Sequence, residues 1–285
     1  TPAGLGAPNG VWLEGIGGEI RIGVIHSEGG AVDIGITTLD DIRLTHDIDT
    51  DGNSITFRDA VILDPGGAVA TANTITIDTG RTPAGSAGAV TFNDTVDAAT
   101  ASSDHLKIVA EDGSGAYGDV TFNGLVGNGT TRMGDVTIVD ANDTAVNAAV
   151  VARSWEQTAG TGTATVNASI NTNAAGFPDG VRIVSNSVDI TAAGDITATG
   201  DTVYLEGTGG GAASIQTAGD VTTAGDTVDF VTGTTLTGDV SIDTTNGGGT
   251  ATGATITFQD TLTDDAAATA RNLTANSGSL GDNDF

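Results

Sequence analysis

GDVTF at 118–122, GDVTI at 134–138, GDITA at 194–198, GDVTT at 219–223 and GDVSI at 238–242 decide how this chain reads. Each string is a Gly-Asp turn feeding a short strand in which apolar residues alternate with Thr or Ser. Looser copies stand at 88–92 (GAVTF), 179–183 (DGVRI) and 253–258 (GATITF). A strand-and-turn unit repeated this often predicts stacked β-coils. Arrays of that kind make surfaces, fibres and stalks more often than active sites.

The stretch 11–80 carries the same rhythm outward. VWLEGI (11–16), GEIRIG (18–23), GAVDIG (30–35), DDIRLT (40–45), NSITF (53–57) and NTITID (73–78) read as successive strands. In GEIRIG and GAVDIG every second residue is apolar, the signature of a strand with one buried side. A longer repeat lies above the short one. Residues 73–108 resemble 238–273, with Ile77 matching Ile242, Phe92 matching Phe258 and Leu106 matching Leu273. The offsets drift from 165 to 166 to 167, one residue at each of two small insertions. SITFRDAVIL at 54–63 is a further copy of the same core.

The stretch 141–178 departs from the rhythm and reads as a local insertion. ANDTAVNAAVVARSWEQT admits either a short helix near 145–156 or a Val-rich strand, VNAAVVAR. FPDG at 177–180 is a turn. No interdomain linker is visible, so 1–285 reads as a single elongated repeat domain. The opening TPAGLGAPNG and the closing GDNDF read as those of a mature or internal piece of a longer chain.

Composition narrows the function. Nine Lys and Arg stand against 37 Asp and Glu among 285 residues, a formal charge of −28. Such a surface repels nucleic acid and anionic lipid. It also keeps a repetitive β-protein in solution and discourages edge-to-edge pairing. Six of the acids are Glu and 31 are Asp, a skew that favours turns over helix. Cysteine is absent, which excludes disulfides, thiolate metal sites and thiol nucleophiles. No run of about 18 apolar residues is present to cross a membrane as a helix. With aromatics at 4%, the interior is expected to be built from Val, Ile, Leu, Ala and Thr.

The best local motif is DIDTDGNSITF at 47–57. Asp47, Asp49 and Asp51 alternate before Gly52, which is the first half of a calcium loop. Position twelve is Arg58 rather than Glu, and no helices flank the segment, so an EF-hand is not expected. The reading is a calcium-binding turn that closes a β-coil with Asp59 as a fourth ligand. Asp119, Asp135, Asp195, Asp220 and Asp239 of the Gly-Asp turns are expected to hydrogen-bond their own turn backbone. His26, His46 and His105 are scattered and lack a metal or catalytic context. The carboxylate pairs at 40–41 and 264–265 carry no specificity in so acidic a chain. Trp12, Trp155, Tyr117 and Tyr204 are too far apart for a sugar platform and suit packing or end-capping. Sequons at Asn93, Asn128, Asn142, Asn167 and Asn272 mark exposed turns.

The GDVT and GDIT strings, the Gly/Thr/Asp/Ala bias and the missing Cys together resemble bacterial β-strand-repeat surface proteins. That group includes adhesins of the filamentous-haemagglutinin type and autotransporter passengers. The resemblance is one of rhythm and composition over nearly the whole chain. It implies a right-handed parallel β-helix, export to the cell surface, and a part in adhesion or in extracellular fibres. It carries over no catalytic residue.

The expected fold is therefore all-β, an elongated parallel β-helix. Tandem β-sandwich domains joined by donated strands are the alternative. The expected function is a non-catalytic structural one: a filament, sheath or cell-surface fibre that self-associates through strand edges. An adhesin region that binds a glycan or a cell-surface protein is the second reading, with 141–178 as its candidate. A polysaccharide-acting β-helix enzyme is the third. Such an enzyme would want clustered Arg or Lys to steady a developing anion, and here only Arg21 and Arg43 could stand together.

Overall fold

The computed structural model describes residues 12–15, 20–22, 25–26, 32–36, 41–50, 52–66, 73–80, 87–173, 180–210, 214–265 and 270–285. Among them every element is a strand, and every paired strand runs parallel to its neighbour. The chain forms two compact units, Thr1–Asp143 and Thr144–Phe285.

The first unit is a stack of coils with three strands to the turn. One face stacks Trp12–Gly15, Val32–Ile36, Ile55–Phe57, Val90–Phe92 and Val120–Phe122. A second face stacks Ile20–Ile22, Ile42–Leu44, Val61–Leu63 and Val96–Ala98, and Val126 extends it by a single bridge to Val96. The third stacks Ile25–His26, Ile48–Asp49, Thr74–Asp78, His105–Val109 and Met133–Ile138.

The second unit has the same construction with three faces of its own. Thr144–Val146, Thr163–Val166, Ser187–Ile190, Ile215–Thr217, Thr234–Leu236 and Leu262–Asp264 form the first. Val150–Gln157, Ile170–Thr172, Ile196–Ala198, Val221–Thr223, Val240–Asp243 and Leu273–Asn276 form the second. The far end of Val150–Gln157 bends into the third, which continues through Val181–Ser185, Val203–Gly207, Val228–Phe230, Ile256–Phe258 and Asn283–Asp284. Each unit is thus a parallel β-helix. Sandwiches are built from antiparallel strands, so that alternative falls.

The strands are short because each crosses one side of a narrow coil. In Ile55–Phe57, Val90–Phe92 and Val120–Phe122 the pattern is buried, half-buried, buried. Strict period-two burial forces β-branched and apolar residues inward in register, and Thr outward. The stretch 144–157 is two strands, Thr144–Val146 and Val150–Gln157, rather than a helix: Val150, Ala152 and Trp155 are buried. Inward-facing Val, Ala and Trp gain more from packing in the coil than Ala-rich propensity gives to an isolated turn.

Phenylalanine contributes more than a 4% aromatic content suggests. Phe57, Phe92 and Phe122 are fully buried and stack in sequence, with centroids 4.8 and 5.1 Å apart and planes within 7°. In the second unit Phe230, Phe258 and Phe285 stack likewise, at 4.6 and 5.5 Å. Each ring repeats at the coil spacing, so an offset stack of this kind follows from parallel register. The long sequence repeat has a structural counterpart. Thr74–Asp78, Val90–Phe92, Val96–Ala98 and His105–Val109 follow one another in the first unit as Val240–Asp243, Ile256–Phe258, Leu262–Asp264 and Leu273–Asn276 do in the second.

Thr closes several corners. Thr79 Oγ1 donates to the Gly88 carbonyl at 2.6 Å, and Thr244 Oγ1 to the Ala254 carbonyl at 2.9 Å. Thr50, Thr217 and Thr223 do the same for Asn53, Gly219 and Asp226. A buried carbonyl where the ladder breaks needs a donor, and an inward Thr at a strand end supplies one.

Candidate functional site

The residues read from the sequence as a calcium turn are spread along the coil. Asp51 lies outside the described residues. The Asp47 carboxylate accepts the backbone N–H of Thr76, 2.7 Å away on the next coil. Asp49 stands in register with Asp78 on the third face of the first unit. Asp59 belongs to the corner between Ile55–Phe57 and Val61–Leu63. Among the described residues no three His, Asp or Glu side chains gather as a cage for a cation.

The Gly-Asp turns differ from their sequence reading in a way that matters. Their carboxylates reach across to the following coil instead of folding back on their own turn. Asp195 Oδ1 accepts the N–H of Asp220 at 2.9 Å, and Asp220 Oδ1 accepts the N–H of Ser241 at 2.7 Å. Asp239 accepts both the N–H and the side-chain amide of Asn272, and Asp119 does the same for Asp143 and Asn142. The reason is geometric. A short carboxylate at the foot of a strand sits beside the one N–H of the next coil that the ladder leaves over. The bonds from Asn272 N–H and its amide hold the Asp239 carboxyl below its ordinary pKa.

Asp135 is the exception. Its backbone N–H donates to His105 Nδ1 at 2.8 Å, while its carboxylate lies 3.3 Å from the same ring nitrogen. His46 Nδ1 meets its neighbour Thr45 Oγ1 at 3.0 Å. His26 is placed on a strand of the third face, in register with Asp49.

The sequon asparagines are also structural. Asn142, Asn167 and Asn272 donate their side-chain amides to Asp119, Asn147 and Asp239 on adjoining coils. Asn93 accepts from Asn123, and Asn128 donates to Asp97. A side chain tied between coils in this way is part of the framework rather than a loose turn.

Two carboxylates withdrawn from solvent stand on and just beyond the second face of the first unit: Asp97, half-buried, and Asp104, buried. Asp97 accepts from Asn128 Nδ2 and Thr131 Oγ1, yet burial pushes its pKa up. Burial also raises Asp104, with Asp64 nearby adding to the shift. Arg21 and Arg43 stand in register, as the sequence allowed, and Arg43 pairs with Asp64 at 2.9 Å. Of the pairs of adjacent acids, Asp265 accepts two bonds from Arg271, Asp264 ends a strand, and Asp41 lies by the same acidic face as Asp97.

One feature carried no sequence signal. Tyr204 lies on the outer side of the second unit's third face with Arg182 stacked over its ring, 4.3 Å from Cζ to the centroid. Its hydroxyl donates to Glu206 Oε2 at 2.7 Å. Trp155, by contrast, is buried in the core and suits the packing role expected of it. Arg182 and Tyr204 are 22 positions apart, so nothing short of the coil register could have brought them together. A shallow groove lies at the last corner of the second unit, between Thr257–Leu262 and the exposed Phe285.

No family model, no curated protein and no solved structure matches this chain.

Proposed function

We propose that the protein is a structural component of an extracellular bacterial filament, sheath or cell-surface fibre, without catalysis of its own. The observation that carries this reading is the use made of the repeated residues. The Asp of the Gly-Asp turns, the sequon Asn and the corner Thr all hold one coil to the next or close a corner. A sequence that repeats its polar residues and spends them on the framework favours a surface or a support over a chemical centre.

Strand edges supply the means of assembly in this reading. Leu262–Asp264, Leu273–Asn276 and Asn283–Asp284 each pair with a single described strand. In this reading a strand of a second copy pairs along the outer side of such an edge. The high negative charge keeps such edges apart until counterions or a partner screen it.

Negative-stain electron microscopy of the purified chain tests the proposal, first in millimolar calcium and then after chelation. Uniform fibres support the structural reading, and their loss on chelation assigns the acidic turns a cation. Compact single particles in both conditions overturn it.

A further inference from the structure

One residue from each coil forms a row on the outer side of the second unit's third face. Glu156, Arg182, Tyr204, Asp229 and Thr257 stand there in register. Neighbours in such a row are about 4.8 Å apart. Arg182 covers one side of the Tyr204 ring, and the bond to Glu206 pins the hydroxyl end. Burial and the adjoining Glu206 carboxylate raise the Tyr204 pKa, so the phenol stays protonated and keeps donating.

The row is lopsided. Toward Glu156 it runs ring, cation, acid. Toward Asp229 it runs ring, then acid, with no cation between them. The Asp229 carboxylate makes no hydrogen bond or ion pair with the described residues. Its side chain is too short to cover the side of the ring that Arg182 leaves, and Tyr204 is only half-buried.

The geometry points to a docking site for an arginine-bearing segment of a basic partner protein, its guanidinium set between the Tyr204 ring and the Asp229 carboxylate. Arginine suits the place better than lysine, because a planar guanidinium can stack on a ring while its edge bonds a carboxylate. Charge favours the same partner. The second unit carries Arg153, Arg182 and Arg271 against 14 Asp and two Glu, so 3 − 16 gives −13. A field of that sign speeds the approach of a basic partner, and the ring then selects the orientation. This site is independent of the fibre reading and would serve a monomer as well as a filament.

The test is fluorescence anisotropy of a labelled nine-residue oligo-arginine peptide titrated with the full chain at about 150 mM salt, where surface charge alone is largely screened. Tyr204→Leu and Asp229→Asn are each expected to weaken binding about fivefold or more, in line with a half-buried cation–π contact. Tyr204→Phe keeps the ring face and is expected to bind like the parent. Asp189→Asn removes the same charge from the first face and is expected to change binding less than twofold. Equal losses in Asp189→Asn and Asp229→Asn would show general charge attraction only and overturn the site. So would unchanged binding in Tyr204→Leu, or a neutral oligosaccharide whose binding depends on Tyr204 while the peptide's does not. Should Tyr204→Leu fail to fold, the isosteric Asp229→Asn against Asp189→Asn decides the matter alone.

Discussion

The Asp220 carboxylate accepts the backbone N–H of Ser241, 2.7 Å away and one coil further on. Asp220 in turn gives its own N–H to Asp195 at 2.9 Å. Each carboxylate therefore pins the coil that follows it, while two like charges stand in register on neighbouring coils. The turn gains hydrogen bonds and accepts some repulsion.

Asp220→Ala is expected to lower the stability of the second unit by about 1 kcal/mol, the usual net worth of such a bond. Asp220→Asn keeps an acceptor oxygen and removes a charge, so it should be as stable as the parent or more so. Urea unfolding of both variants checks this. Equal destabilisation of the two would mean that charge, not the hydrogen bond, is what the position supplies.

Gly118 is the sharpest steric constraint among the Gly-Asp turns. A Cβ built there would lie 2.0 Å from the Gly88 carbonyl oxygen, which is backbone and cannot swing away. Gly118→Ala should cost about 1–3 kcal/mol or more, as overpacking of a rigid site does. Gly129 has open space around it, so Gly129→Ala should stay within about 0.5 kcal/mol of the parent. Thermal unfolding followed by circular dichroism separates them, and a harmless Gly118→Ala would refute the close approach.

Phe92 is the middle ring of the first unit's stack and touches rings on both sides. Phe92→Ala is expected to cost about 3–5 kcal/mol, because the cavity lies between coils that the ladders hold at fixed spacing. Phe258→Ala should cost less, since Phe258 keeps a small exposure and one of its neighbours, Phe285, is 64% exposed. Comparable losses at the two positions would count against burial as the source.

Acid should act in opposite senses on the two units. Burial raises Asp97, Asp104 and Asp140 above 3.8, so the folded first unit holds these protons more tightly than the unfolded chain. Its stability from these groups is greatest at low pH and falls as pH rises through their folded pKa values. In the second unit Asp239 is lowered by the bonds from Asn272. Burial pushes Asp243 upward, but the bonds from Thr245 Oγ1, Thr245 N–H and Gly247 N–H outweigh it and lower its pKa. Those two groups stabilise above 3.8 and lose that contribution as pH falls below it. Hydrogen exchange at stepped pH should therefore show the first unit tightening just above pH 3.8 and the second loosening beneath it. Asp97→Asn with Asp104→Asn should flatten the first response, and its persistence in that double variant would exclude these carboxyls as the cause.

Much of the framework was legible because strand and turn signals are local. Val-Thr-Phe at 90–92 and 120–122 alternates in the sequence as it alternates in burial, and Gly88-Ala89 and Gly118-Asp119 announce the turns before it. The 166-residue match of Phe92 with Phe258 also proved to be a match of strands in equivalent succession. The donors to the Asp195, Asp220 and Asp239 carboxylates differ from the expected ones because a Gly-Asp turn offers two kinds of N–H. The nearer one is visible in the sequence and the one chosen is a whole coil away.

What the sequence alone determined is the alternation of inward and outward residues, the turn positions, the acidity and the absence of thiols, since each of these belongs to a residue or to its immediate neighbours. What only the tertiary structure decided is which residues stack: Phe57 on Phe92, Arg182 on Tyr204, Asp220 against Ser241. Those partners are set by how many residues each coil needs to close. Here the coils differ in length, with Val90 meeting Val120 but Ile215 meeting Thr234, so the register emerges only when every corner has been turned.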